Sequence, residues 1–220
     1  MSTLVWSGQM VRRATRVFMG SPNTFKVMAV ANHLGLDYEL QQLDPTKGEH
    51  LSAAYAAVNP NKRIPTMEDD GFILGESNAI TQYLASKKPE AGLLLSDGRA
   101  RAQVNQWQFW DMSSWDPACA TIVFERLVKK MLGMGEPDPA KVQEGEQNFH
   151  RYAQILNDKL KGRKFVIGDT LTLADFSLGA WLNMAQAALF PLAPFEEIKR
   201  WHASLMELPA WRKALAPASR

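Results

Sequence analysis

Cysteine is nearly absent from this chain: Cys119 is the one thiol in 220 residues. That excludes an intrachain disulfide framework and a cysteine-rich metal site, and a reducing, cytoplasmic setting fits best. Long hydrophobic runs are missing too. No stretch approaches the roughly 20 apolar residues that span a bilayer, so no membrane segment is expected. Charge of either sign is balanced to a net +2, and no run of Lys and Arg is interleaved with aromatics, which speaks against a nucleic-acid partner. The four histidines show no metal-ligand spacing, so no metal is expected. Internal repeats and low-complexity tracts are lacking as well. What remains, 46% hydrophobic and 22% charged, is the composition of a globular chain, long enough for one large domain or two modest ones.

The opening residues carry Arg12, Arg13 and Arg16 with no acid, but Leu4-Val5-Trp6 is too short for a secretory core. Residues 1–14 therefore read as a disordered N-terminal extension, or as the result of a start placed too early, with Met10 the alternative start. TRVFM at 15–19 has the content of a short strand that Gly20 ends. In SPNTFKVMAVANHLG, Phe25, Met28, Ala31 and Leu34 recur at helical spacing and Gly35 is a natural stop. Ser21 then lies in the strand-to-helix turn, with Asn23 near the N-cap. Residues 36–43 offer a second strand, parallel to the first because a helix separates them.

The stretch 59–84 says most about function. Pro65 cannot donate to a sheet ladder, which suits the first position of an edge strand, and in the cis form it would pin the preceding loop. Asp70-Gly71 between two short apolar runs predicts a hairpin. Gly75 then turns the backbone, and Glu76-Ser77 opens a helix whose unpaired N–H groups and positive dipole could receive an anion.

After Ala85 the texture changes. Residues 87–97 mix charge, Pro and Gly as a linker would, and from Arg99 onward no convincing strand appears. A long helical pattern runs from Arg99 to Leu132, with a kink expected at Asp116-Pro117. A second covers 140–160. LTLADF at 171–176 reads as a helix start, with Thr172 the N-cap and Asp175 the returning acceptor. The segment that follows is apolar nearly all round, so it is the expected buried central helix. Two closing helices follow at 196–206 and 209–215.

SPNTFKV at 21–27, NPNKRIP at 59–65, ESNAITQYL at 76–84 and GDTLTLADFS at 168–177, in this order and spacing, resemble the soluble glutathione S-transferase family. The resemblance covers about residues 15–215 and implies an α/β thioredoxin-like N-terminal domain at 15–86 followed by an all-α C-terminal helical domain at 98–220. It also implies site residues. Ser21, as in theta-like members, or Asn23, as in a bacterial class, would hold the sulfur of glutathione. Ile64 would pair its backbone with the cysteinyl part, Glu76 and Ser77 would take the γ-glutamyl end, and His50 with Arg63 the glycyl carboxylate. The chain departs from the commoner form at Lys62, where many members have Gly, and at Gly20.

The implied function is a glutathione transferase of detoxification type. Glutathione is the co-substrate, no metal is needed, and the second substrate is a small hydrophobic electrophile. A glutathione-dependent peroxidase or disulfide reductase is the alternative, as is a non-catalytic glutathione-binding protein. Trp110 and Trp115 are candidates to wall the second-substrate pocket. A homodimer is implied too, with Asn105 at a position that reaches the partner's glutathione in some classes. The residues agree with the chemistry. A Ser21-Pro-Asn-Thr24 turn has no thiol for dithiol exchange, but its hydroxyl can stabilise a ligand's thiolate.

Overall fold

The computed structural model describes residues 3–4, 13–17 and 20–216. By contacts the chain divides into two compact units, one of residues up to Ala91 together with those from Leu208, the other Gly92–Glu207.

The first unit is built on one sheet. Its strands are β1 (Thr3–Leu4), β2 (Arg13–Val17), β3 (Glu39–Gln42), β4 (Thr66–Asp69) and β5 (Phe72–Leu74), in the order β1-β3-β2-β4-β5. β2 and β3 run parallel, as the intervening helix α1 (Pro22–His33) requires, and β4 lies antiparallel to β2 on its other side. Within the stretch read as an extension, Thr3–Leu4 pairs antiparallel with Leu40 and Gln41. The remaining residues before Arg13 lie outside the described ones, as do Phe18 and Met19 of the expected first strand. The Asp70-Gly71 turn takes φ 50 and 83, the doubly positive pair that suits a tight hairpin between β4 and β5.

Helix α2 (Ala53–Val58) precedes the loop to β4, and α3 (Ser77–Ser86) follows the hairpin. α1 is buried along most of its length, with Val27, Ala29 and Val30 in the core beside Met67, Ile80 and Leu84. Part of its cover comes from far along the chain. Helix α10 (Pro209–Leu215) packs on α1, with the rings of Phe25 and Trp211 edge-on at 4.7 Å and Asn32 Nδ2 donating to Ala210 O at 3.5 Å. The segment expected to close the helical domain thus completes the sheet domain.

In the second unit, α4 (Gly98–Trp110), α5 (Asp116–Val123) and α6 (Lys129–Met131) form one continuous helical run. Where a kink was expected at Asp116-Pro117, the run takes up a π-helical turn at Asp111–Trp115, and a second at Phe124–Val128. Pro117 lies inside the run just past the first of these turns, where the widened hydrogen-bond ladder accommodates its missing N–H. α7 (Pro139–Leu160) is capped by Asp138. α8 (Leu173–Gly179) is buried at every position and continues as a 3-10 turn to Met184, and α9 (Glu196–Met206) closes the unit.

The capping box at the start of α8 is present and more elaborate than its sequence signature. The Asp175 carboxylate accepts from Thr172 N and Val166 N at 2.9 Å each, from Trp201 Nε1 at 3.0 Å and from Thr172 Oγ1 at 3.2 Å. Burial nevertheless pushes its carboxyl up to about 6, against the opposing pull of those four donors. Cys119 is fully buried, and burial together with the nearby Asp111 and Asp116 pushes its thiol well up. It is a small core hydrophobe, without the thiolate character that reactivity needs.

Candidate functional site

The sheet register sets the end of β2 beside the start of β4: Arg16 pairs with Thr66, which follows directly on Ile64 and Pro65. The Ile64–Pro65 bond is cis.

Ser21 is the N-cap of α1, with extended backbone, and Pro22 takes the first helical position. The expected N-cap near Asn23 thus falls two residues earlier. Ser21 Oγ accepts from Thr24 N at 3.4 Å, while its own proton has no acceptor among the described residues. A serine in this state is an acceptor toward the helix and a donor toward whatever lies at its mouth. Asn23, in the first turn, accepts at Oδ1 from the Ser77 hydroxyl at 3.0 Å. That bond ties the start of α1 to the start of α3. A second tie lies beneath it: Lys26, fully buried, donates from Nζ to Asn78 Oδ1 at 3.2 Å.

Glu76 is the N-cap of α3, and its φ of 60 is the left-handed region that a glutamate rarely adopts. Such strain costs on the order of 1–3 kcal/mol and collects at functional sites. Its side chain is exposed, whereas Ser77 is buried with its proton committed to Asn23. The Ser77 oxygen is therefore left as an acceptor.

His50 lies in a 3-10 turn, Glu49–Leu51, ahead of α2. Its Nδ1 is buried without a hydrogen-bond partner among the described residues, which costs free energy unless something fills the gap. Arg63 is exposed, and its guanidinium forms no ion pair among the described residues. Ser21, Asn23, His50, Arg63, Ile64, Glu76 and Ser77 all fall in the first unit, and the direct bond among their side chains is the one between Asn23 and Ser77.

The two tryptophans behave differently from one another. Trp115 has 0% of its surface exposed and donates from Nε1 to Leu178 O at 3.0 Å, so it belongs to the core of the helical unit and cannot touch a ligand. Trp110 is half-buried, stacked over Trp115 at 6.2 Å and edge-on to Trp107 at 5.1 Å.

Three residues that the sequence reading passed over stand directly behind the site. Tyr55, Asn59 and Thr66 are buried and converge on the carbonyl of Arg63. A tyrosine inside an otherwise small-residue helix, AAYAAV, and the asparagine of Asn59-Pro60 were the signals available.

Among the described residues no group of three His, Cys, Asp or Glu is placed to hold a metal, and no helix is long and apolar enough to cross a membrane.

Comparison with known proteins agrees with this geometry. The family model described as "Glutathione S-transferase, N-terminal domain" matches residues 17–86, and "Glutathione S-transferase, C-terminal domain" matches 116–209. The chain is 32% identical to a glutathione S-transferase of Hyoscyamus muticus, over 89% of its own length and 93% of that protein's. To glutathione S-transferase 3 of Zea mays it is also 32% identical, over 89% and 90% of the two lengths. A glutathione transferase of Phanerochaete chrysosporium, solved in complex with oxidized glutathione, superposes with a TM-score of 0.84 at 29% identity, covering 93% of this chain and 95% of that one. The chain belongs to the glutathione S-transferase family, with its thioredoxin-like and helical domains.

Proposed function

We propose that this protein is a glutathione transferase that holds glutathione as its thiolate at Ser21 and directs it at a small apolar electrophile. The observation that carries this is the state of Ser21: a helix N-cap whose oxygen serves the helix while its proton has no acceptor among the described residues. A free thiol has a pKa of about 8.5, and bringing it to about 6.5 takes roughly 2.7 kcal/mol in favour of the anion. A hydrogen bond to a charged group supplies about 1.5–3 kcal/mol, and a helix N-terminus about 0.3–1 more. One hydroxyl there is enough, and the thiolate needs no further base on the protein.

The other groups orient the tripeptide. Glu76 pairs with the γ-glutamyl ammonium, together with the acceptor oxygen of Ser77, and the first N–H groups of α3 take the adjoining carboxylate. Arg63 and His50 serve the glycyl carboxylate. Ile64 pairs its backbone with the cysteinyl residue. Held this way, the attack becomes effectively intramolecular.

Asn23 reaches the γ-glutamyl end through its bond to Ser77, and with Ser21 taken as the holder of the sulfur this is a serine-type turn of the theta-like kind. Trp110 is the aromatic offered to the second substrate. The protein works as a homodimer in a reducing, cytoplasmic setting, and the exposed Phe72 and Ile73 of edge strand β5 supply apolar surface for such pairing.

Ultraviolet titration of bound glutathione tests the assignment. Ser21→Ala should raise the thiol's pKa by about 2 units and cut kcat/KM at about pH 7 by about 25-fold, the fall in thiolate fraction. Asn23→Ala should leave the titration in place and raise KM for glutathione. An unmoved titration in Ser21→Ala overturns the role of Ser21, and a wild-type protein that binds no glutathione overturns the function.

A further inference from the structure

Ile64 offers its backbone to the ligand, so something must hold that backbone still. The Arg63 carbonyl accepts from Tyr55 Oη at 2.7 Å, from Asn59 Nδ2 at 3.0 Å and from Thr66 Oγ1 at 3.2 Å. The three donors are also joined to each other: Asn59 Nδ2 donates to Thr66 Oγ1 at 2.9 Å, and the Tyr55 and Thr66 hydroxyls lie 2.8 Å apart. Every proton has an acceptor in this ring. Tyr55 donates to Arg63 O, the Asn59 amide donates once to Arg63 O and once to Thr66, and Thr66 donates to Tyr55 or to Arg63 O. The remaining Asn59 oxygen accepts from Asn61 N at 3.0 Å. All three side chains are less than a tenth exposed, at 4% for Tyr55, 7% for Asn59 and 0% for Thr66. These are therefore bonds without competing water, the setting in which a polar network fixes geometry most firmly.

The consequence lies on the other side of the same peptide unit. The Arg63–Ile64 peptide is trans, so the Ile64 N–H points opposite to the Arg63 C=O. With the carbonyl drawn into the ring, the N–H is aimed away from it, and it makes no hydrogen bond among the described residues. An aimed and unspent donor is what an incoming peptide carbonyl requires.

We infer that Tyr55, Asn59 and Thr66 are positioning residues: by clamping the Arg63 carbonyl they aim the Ile64 N–H at the cysteinyl carbonyl of glutathione and so set where the sulfur falls. The inference rests on the function proposed above and adds to it a group of residues that touch no substrate. Gly75 belongs to the same arrangement. A Cβ there would stand 3.4 Å from Asn59 Nδ2, so the clamp also lies directly under the turn that leads to Glu76.

The test is a cycle between protein and ligand. Glutathione is compared with an analogue whose cysteinyl–glycine amide is replaced by an (E)-alkene, which lacks the carbonyl, and binding to wild type, Tyr55→Phe and Thr66→Val is measured by calorimetry. Wild type should lose about 10-fold in affinity on the swap, the size of one such hydrogen bond. In each variant glutathione should bind more weakly and the swap should cost about 3-fold or less. A variant that loses the same factor as wild type would show the ring to be structural only and overturn the inference, while leaving glutathione binding intact. A wild type indifferent to the swap overturns it as well. Failure of wild type to bind glutathione at all removes the proposed function, and this inference with it.

Amide hydrogen exchange on the wild type gives a second reading that needs no variant to fold. The Ile64 amide should be slowed by glutathione and not by the alkene. Equal protection by both ligands also overturns the inference.

Discussion

At position 62 the backbone turns through φ 54, a conformation natural to glycine, yet the residue is an exposed lysine. The left-handed region costs an L-residue about 1–2 kcal/mol, and glycine would give back part of that gain through a freer unfolded chain. Lys62→Gly should therefore raise stability by about 0.5–1 kcal/mol, read from the urea midpoint at unchanged m. A lower midpoint would mean that the Lys62 side chain makes a contact worth more than the strain. Lysine at a position where the resemblance expects glycine was plain in the sequence, but the backbone angle that gives the departure its cost was not.

Asp175 supplies a residue-scale prediction of a different kind. Its folded-state carboxyl titrates near 6, above the ordinary 3.8, so the folded chain holds the proton more tightly than the unfolded one. The stability tied to this proton is fully present below about pH 4 and is lost as pH rises through about 6. Asp175→Asn removes the titration and misplaces a donor against the four that converge there, so it should destabilise at every pH. The gap between wild type and variant should narrow by on the order of 3 kcal/mol from pH 4 to 7, followed by chemical denaturation at each pH. A gap that widens over that range would reverse the sign and sink the assignment.

Among the elements, α1 carries two demands at one residue, since Ser21 both caps the helix and serves the proposed chemistry. The two roles separate by substitution. Glycine is a tolerable cap, costing only a few tenths of a kcal/mol relative to serine, but it has no hydroxyl. Ser21→Gly should keep its thermal midpoint within a degree or two while losing activity as far as Ser21→Ala does. If Ser21→Gly stays active, the hydroxyl is not the group that holds the sulfur.

Element positions were legible where local chemistry decides them. Periodicity marked α1, the Asp-Gly pair marked the β4–β5 turn, and Thr172 with Asp175 marked the start of α8. Less legible were features set by distant partners. The donor from Trp201 to Asp175 and the convergence of Tyr55, Asn59 and Thr66 on a main-chain carbonyl are tertiary facts, invisible to spacing. The π turns in the α4–α6 run had no signal in the spacing, which marked only the proline that follows the first of them.

On the scale of the whole molecule, the candidate site could be located from four short motifs because three fall within 21–84 and the fourth marks domain order. The two units could not be bounded in the same way, since nothing local in 209–215 says which helix it covers. Trp211 is fully buried against α1. Trp211→Ala should cost about 3–5 kcal/mol and should weaken glutathione binding as α1 loosens, both measurable on one preparation by denaturation and calorimetry. Undiminished stability would mean α10 is dispensable. Light scattering at micromolar concentration checks the proposed homodimer, and a monomer mass would count against it.

The dependence of the first helix on nearly the last has a consequence for synthesis. While the polypeptide is still being made, everything proposed to hold glutathione has emerged, yet the flank of α1 stays bare until residues beyond 207 leave the ribosome. A chain stalled at that point should be cleaved readily by protease within α1, and the same segment should become resistant once the residues through Leu215 have emerged. Competence to bind the tripeptide would then report that the chain has been made and released at least through Leu215.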